Sequence, residues 1–118
     1  MSANKTVFVF FILTPLLIML SGARAADSLD QPPITAAALY ALSGNAALDN
    51  ASELAGVRLA VREINSAGGL LGREFKVVEL DNLSMAIGAK NAAEKADRLG
   101  AAAMLGPSWS THALAAAR

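Results

Sequence analysis

Three short apolar runs, each closed by a turn residue and separated by longer helical patterns, constrain the fold more than any other feature of this chain. Residues 34–42, 75–80 and 101–105 are such runs, and Ser43-Gly44, Asp81-Asn82 and Gly106-Pro107 follow them. Runs of this length that are bounded by turn residues predict buried strands. The alanines of the first run would also suit a helix.

The segments between the runs predict helices. Apolar residues recur at three- and four-residue spacing over residues 51–67, which predicts an amphipathic helix. We expect Gly68-Gly69 to end it, and we expect Ser84 to cap a second helix that runs to about Leu99. Residues 108–111 lead into a last helical stretch.

Strands that alternate with helices of this length form right-handed crossovers and a parallel sheet covered on both faces. The sequence therefore predicts an α/β fold with a doubly wound parallel sheet. Ligands bind to such sheets beyond the carboxyl ends of the strands, where the strand order reverses. Residues 43–50 and 106–112 are the two segments that we expect at this edge.

Two further patterns are interpreted as turns. Residues 68–72 read Gly-Gly-Leu-Leu-Gly, but a phosphate-binding loop follows a strand and opens a helix, whereas this segment does the reverse. Asp81 and Asn82 could offer oxygen ligands to a cation, although this pair before Ser84 is more typical of a turn and cap. We assign no metal and no cofactor.

The N-terminus has the order of a secretory signal peptide. Lys5 precedes an apolar run over residues 7–20, and Ala23-x-Ala25 provides the small residues of a cleavage site. We expect cleavage between Ala25 and Ala26; an uncleaved anchor is the alternative. Residues 26–33 are polar and Pro-rich, which predicts a flexible leader. The chain has no cysteine, and a periplasmic location fits best.

The segment 106–112 holds the candidate ligand-binding residues. Hydroxyls and free N–H groups at a helix start suit a carboxylate, although Ser108 or Ser110 could instead only cap the helix. Trp109 could form a flat apolar wall or cover the core, and we expect His112 on the surface. Asp49, in the loop after the first strand, could cap the next helix or face an ammonium group.

No set of nucleophile, acid and base can be assembled from these residues, so the sequence does not indicate an enzyme. Removing Lys5 and Arg24 with the signal peptide leaves eight basic and ten acidic residues, a net charge of −2. This balance does not indicate binding to nucleic acid or to anionic lipid.

One stretch carries a family resemblance. Residues 56–73 read GVRLAVREINSAGGLLGR, and residues 77–81 read VVELD. The chain resembles the branched-chain amino-acid-binding family of type I periplasmic binding proteins, and the resemblance covers residues 34–118. The resemblance implies that residues 34–118 are the N-terminal part of the first of two lobes and form a truncated βαβαβ unit.

The resemblance also implies a function. Family members bind amino acids or related amides between two lobes and deliver them to the permease of an ABC importer. It implies that Ser110 contacts the ligand carboxylate, with Thr111 and Trp109 beside it. The family often has an aromatic residue near the position of Asp49, and family chains are several times longer. We expect the second lobe to be absent, which leaves a sensory lobe of the same fold or a non-functional fragment as alternatives.

Overall fold

The computed structural model describes residues 31–118, so the predicted signal peptide, its cleavage site and most of the leader lie outside the described residues. Six elements follow one another in this part of the chain: β1 (Ile34–Tyr40), α1 (Ala47–Ser66), β2 (Phe75–Asp81), α2 (Ala86–Arg98), β3 (Met104–Leu105) and α3 (Ser110–Ala116). None of the described helices is both long and apolar enough to cross a membrane.

β1 lies at the centre of a three-stranded parallel sheet with the order β2-β1-β3. Ala37 and Leu39 are fully buried, because β1 has a strand on each side and helices above and below it. The predicted strand is confirmed but ends at Tyr40, two residues early. Beyond it the N–H of Ala41 donates to Oδ1 of Asn50 at 2.8 Å, where a longer strand would bond to its neighbour.

Alternate residues of β2 contact helices on opposite faces of the sheet. The Glu79 carboxylate accepts two hydrogen bonds from Arg58 of α1, at 2.6 and 2.7 Å. Leu80, the next residue, packs in the core with Ala92, Ala93 and Ala96 of α2. Because successive strand residues point to opposite faces, α1 and α2 cover the two sides of the sheet. The predicted doubly wound α/β fold is confirmed.

α1 begins at Ala47, one turn before the predicted start at Ala51, and no side chain of its own segment caps it. The N–H of Ala46 donates instead to Oγ of Ser84 at 3.0 Å, and that hydroxyl donates to the carbonyl of Ser43 at 2.7 Å. The prediction that Ser84 caps the second helix is therefore wrong. Its hydroxyl is used at the start of α1, and Met85 holds the N-cap position of α2 without a side-chain hydrogen bond.

The end of α1 shows why two glycines follow one another. Gly68 and Gly69 have φ angles of +102° and +77°, and the N–H of Gly69 donates to the carbonyl of Ile64 at 2.9 Å. A Cβ on Gly69 would overlap the carbonyl oxygen of Arg73. A left-handed residue without a side chain is thus required there. The interpretation of this segment as turns is confirmed.

Asn65 joins the end of α1 to the start of β2. Its Nδ2 donates to the carbonyl of Phe75 at 2.9 Å, and its Oδ1 accepts from the N–H of Phe75 at 2.8 Å. The carboxamide therefore pairs with the backbone of Phe75 as a neighbouring strand would. This pairing satisfies backbone groups at the edge of the sheet where no further described strand lies.

β3 is shorter and more exposed than the predicted buried strand over residues 101–105. Only Met104 and Leu105 are in the strand, and they are 46% and 37% exposed. The chain approaches β1 earlier, since the N–H of Ala102 donates to the carbonyl of Thr35 at 2.8 Å. In the described region β3 has a neighbour on one side only, which explains its exposure.

Candidate functional site

The strand order places two loops together at the carboxyl edge of the sheet. The crossover from β1 leads to β2 on one side, and the crossover from β2 leads back past β1 to β3 on the other. The order reverses between β1 and β3, and a crevice opens at such a point. The loop of residues 41–46 and the loop of residues 106–109 border it, as the sequence predicts.

Asp81 fixes the loop that follows β1. Its Oδ1 accepts from the N–H groups of Leu42 at 2.9 Å, Ser43 at 3.3 Å and Leu83 at 2.8 Å, and its Oδ2 accepts from the Ser43 hydroxyl at 2.6 Å. Burial raises the pKa of Asp81, but the hydrogen bonds from Ser43, Leu83 and Leu42 outweigh it and hold that pKa below its ordinary value. Asp81 thus stabilises a loop, which fits the predicted turn.

Gly106 lets the loop after β3 lie directly against β1. Its φ is +81°, and a Cβ at this position would overlap the carbonyl oxygen of Leu39 and come within 3.1 Å of the Tyr40 ring. Any side chain here would separate the two strand ends. Glycine is therefore needed where the loop after β3 meets the end of β1.

Asn50 connects the two loops, and the sequence analysis missed it. The residue is 4% exposed, accepts from Ala41 after β1 and donates through Nδ2 to Oγ of Ser108 at 3.3 Å. The Ser108 hydroxyl donates in turn to Oε2 of Glu53. One signal for Asn50 was available: it precedes buried Leu54 by four residues and so lies on the same face of α1.

Ser110 and Thr111 are the first two residues of α3, and both are exposed. Trp109 holds the N-cap position and no side chain caps the helix, so the alternative role of Ser108 or Ser110 as its cap is wrong. The N–H of His112 donates to the carbonyl of Trp109 at 3.0 Å, whereas the N–H groups of Ser110 and Thr111 precede the first hydrogen bond of the helix. Two exposed hydroxyls and two backbone donors therefore follow directly on the loop of residues 106–109.

Trp109 is 39% exposed, and its ring lies 5.2 Å from the ring of His112 at a tilt of 35°. His112 is 6% exposed, so the prediction that it lies on the surface is wrong. The first turn of α3 directs this imidazole inward, under the indole. His112 thus supports Trp109 from within the same helix, and the indole keeps an accessible surface.

The predicted position of Asp49 is also wrong. Because α1 begins at Ala47, Asp49 lies in its first turn and not in the preceding loop, and Ala46 holds the N-cap position. Its side chain is exposed. An acidic residue in the first turn interacts favourably with the helix dipole, which accounts for Asp49 without a ligand.

The parallel sheet, with its order reversing between β1 and β3 and a helix on each face, defines the chain as part of a doubly wound α/β lobe. A comparison with protein families matches residues 33–118 to the family described as periplasmic binding protein. The chain belongs to this family, as a type I member. A comparison with curated proteins returns no match.

Two solved structures are similar to the chain. The branched-chain amino acid transporter substrate binding protein LivJ from Streptococcus pneumoniae, in complex with isoleucine, is 32% identical, with a TM-score of 0.68 over 72% of this chain and 25% of its own. The leucine binding protein LivK from Thermotoga maritima is 29% identical, with a TM-score of 0.65 over 71% and 23%. The chain thus spans about a quarter of the length of these relatives.

Proposed function

We propose that the protein is the periplasmic substrate-binding component of an ABC importer for branched-chain amino acids or related amides. The observation that supports this most is the similarity to LivJ, which was solved with isoleucine, over 72% of this chain. In this proposal residues 34–118 supply the first-lobe half of the ligand site. A second lobe, supplied outside these residues, closes over the ligand.

The ligand carboxylate is bound at the start of α3. Ser110 and Thr111 provide hydroxyl donors there, and the N–H groups of the same two residues add backbone donors. Trp109, supported by His112, forms an apolar wall for the ligand side chain. Asp49 is a candidate only for a peripheral contact, because it points to solvent from the first turn of α1.

The loops that carry these donors are held before a ligand arrives. Buried Asn50 ties Ser108 to the end of β1, and Asp81 holds Ser43 and its neighbours. A site that is already ordered loses less conformational entropy on binding, so more of the contact energy appears as affinity. The hydrogen bonds at the edge of the sheet therefore support a binding role.

The cellular part of the proposal rests on the sequence. The signal-peptide pattern of residues 1–25 directs the chain to the periplasm, where the loaded protein meets a permease in the inner membrane. The role requires no catalysis and no cofactor.

The test supplies the second lobe. A chimaera replaces the matching quarter of LivJ with residues 33–118 and is heated with a panel of amino acids and amides. At a ligand concentration of 100 times Kd, binding stabilises the folded state by about 2.7 kcal/mol, which raises the melting temperature by several degrees. We expect this rise with at least one branched-chain amino acid.

Ser110→Ala in the chimaera removes a hydrogen bond to a charged group and weakens binding by about 10-fold or more. Ser66→Ala, at the exposed end of α1, is the matched control and leaves affinity unchanged. A chimaera that unfolds cooperatively but responds to no member of the panel would contradict the proposal.

A further inference from the structure

The outer edge of β2 carries backbone groups that have no strand beside them within residues 31–118. The N–H of Ile34 donates to the carbonyl of Glu74 at 2.8 Å, which sets the ladder so that even-numbered residues of β2 bond to β1. The alternate residues of a parallel strand direct their backbone groups to the other side. The N–H and C=O groups of Val77 and Glu79 therefore point away from β1.

Asn65 occupies the beginning of this edge and leaves the rest open. Its carboxamide pairs with both backbone groups of Phe75, the first outward-facing residue of β2. In the described part of the chain no comparable partner reaches Val77 or Glu79, the next two. A row of unpaired N–H and C=O groups at the edge of a sheet is a template for a further strand.

A groove borders this edge on the face of the sheet that α1 covers. It has a volume of about 260 Å³, and it is lined by the apolar residues Val57, Val61 and Val77 and by Arg58 and Arg62. Among the described residues that line it, those of the sheet all belong to β2. The groove therefore lies at the outer side of this strand.

A second groove of about 260 Å³ borders the same edge on the face that α2 covers. Leu80 and Leu83 line it together with Asn91, Ala92 and Lys95 of α2. A strand that pairs with β2 would direct successive side chains to opposite faces of the sheet. Its side chains would thus enter the two grooves in turn.

Each groove combines an apolar wall with a cation. Arg62 lines the groove on the α1 face and Lys95 the groove on the α2 face, and neither belongs to an ion pair among the described residues. Arg58 is already bound by Glu79 at 2.6 Å. Asp81, which also lines the second groove, already accepts hydrogen bonds from the loop after β1. Both grooves are therefore complementary to an apolar and an acidic side chain.

We propose that the outer edge of β2 binds an extended segment of a partner protein, with an acidic and an apolar side chain directed to each face of the sheet. The segment bonds to the backbone of Val77 and Glu79, and its carboxylates meet Arg62 and Lys95. A second copy of this chain fits the edge less well, because it brings the same two cations with it. The edge lies across β1 from the reversal of strand order, so this inference does not rest on the ligand crevice.

The test uses a synthetic peptide as the probe. Thr-Val-Glu-Asp-Val-Thr, acetylated and amidated at its ends, places one valine and one acidic side chain on each face of a strand. Thr-Val-Gln-Asn-Val-Thr is the matched uncharged peptide. Two further peptides are N-methylated at every second residue, in either frame, which removes the N–H groups of one strand edge or the other. Each is titrated into the purified protein, and amide chemical shifts and hydrogen exchange are measured by NMR.

We expect the charged peptide to shift the amide signals of Val77 and Glu79, to slow their exchange, and to bind about fivefold more tightly than the uncharged one. N-methylation in one frame abolishes binding, and in the other frame binding remains. Arg62→Gln and Lys95→Gln each raise the Kd of the charged peptide about two- to fivefold, the range of an exposed ion pair. Lys90→Gln, at an exposed position of α2 that faces α3, is the matched control and leaves the Kd unchanged.

Three results would overturn the inference: unchanged signals of Val77 and Glu79 at millimolar peptide, an equal Kd for the charged and uncharged peptides, or equal binding of both N-methylated peptides. Slow exchange of these two amides before any peptide is added would also overturn it. In that case another part of the protein, or a second copy, already occupies the edge.

Discussion

Replacing Asn50 with alanine removes the side chain that joins the two loops of the crevice. The N–H of Ala41 loses its acceptor at 2.8 Å, and the Ser108 hydroxyl loses its donor at 3.3 Å. Ala41 is 2% exposed, so water does not readily replace the lost acceptor. An unsatisfied buried amide costs about 1–3 kcal/mol, and the second, partly buried hydrogen bond adds about 1 kcal/mol. We expect a total loss of about 2–4 kcal/mol in the free energy of unfolding.

Urea unfolding followed by circular dichroism measures this loss. With an m-value of about 1 kcal/mol/M for a domain of this size, the midpoint of Asn50→Ala moves down by about 2 M or more. Asn91→Ala, at an exposed position of α2, is the matched control and moves it little. A midpoint of Asn50→Ala equal to that of the Asn91 variant would contradict the role of Asn50 in joining the two loops.

Three other perturbations have expected outcomes. Asn65→Ala removes the acceptor for the N–H of Phe75 and the donor to its carbonyl, and lowers the urea midpoint by about 2 M. An unchanged midpoint would show that water replaces the carboxamide. Gly106→Ala places a Cβ against the carbonyl of Leu39 at positive φ and lowers the free energy of unfolding by more than about 2 kcal/mol. Gly56→Ala, in open space within α1, raises the free energy of unfolding by about 0.5–1 kcal/mol. Equal shifts of the melting temperature in the two variants would contradict this contrast. Because the pKa of Asp81 is lowered in the folded chain, its contribution to stability is complete above the ordinary pKa of 3.8 and is lost as pH falls through the lower folded value. Asp81→Asn therefore flattens the decline of the free energy of unfolding in acid. An unchanged slope would contradict the role of the Asp81 carboxylate.

The sequence predicted the order and type of every element, because the apolar runs and the helical spacing are local patterns. It misplaced the start of α1, since the acceptor for the N–H of Ala46 is Ser84, 38 residues later in the chain. No local pattern shows such a partner. The same distant contact explains why Ser84 does not cap α2.

The candidate site was predicted in part. The edge of the sheet follows from the alternation of strands and helices, and the structure places residues 106–109 there. The inward position of His112 depends on how α3 packs, which a single helical turn does not show. Asn50 and Glu53 were missed because their partners, Ala41 and Ser108, are 9 and 55 residues away in the chain.

A crystal structure of the LivJ chimaera with the amino acid that stabilises it most shows whether the start of α3 binds the ligand. We expect a ligand carboxylate oxygen within about 2.5–3.2 Å of a donor of Ser110 or Thr111, between the two loops at the reversal of strand order. A ligand bound with its carboxylate away from these residues, on contacts from the LivJ lobe alone, would contradict it.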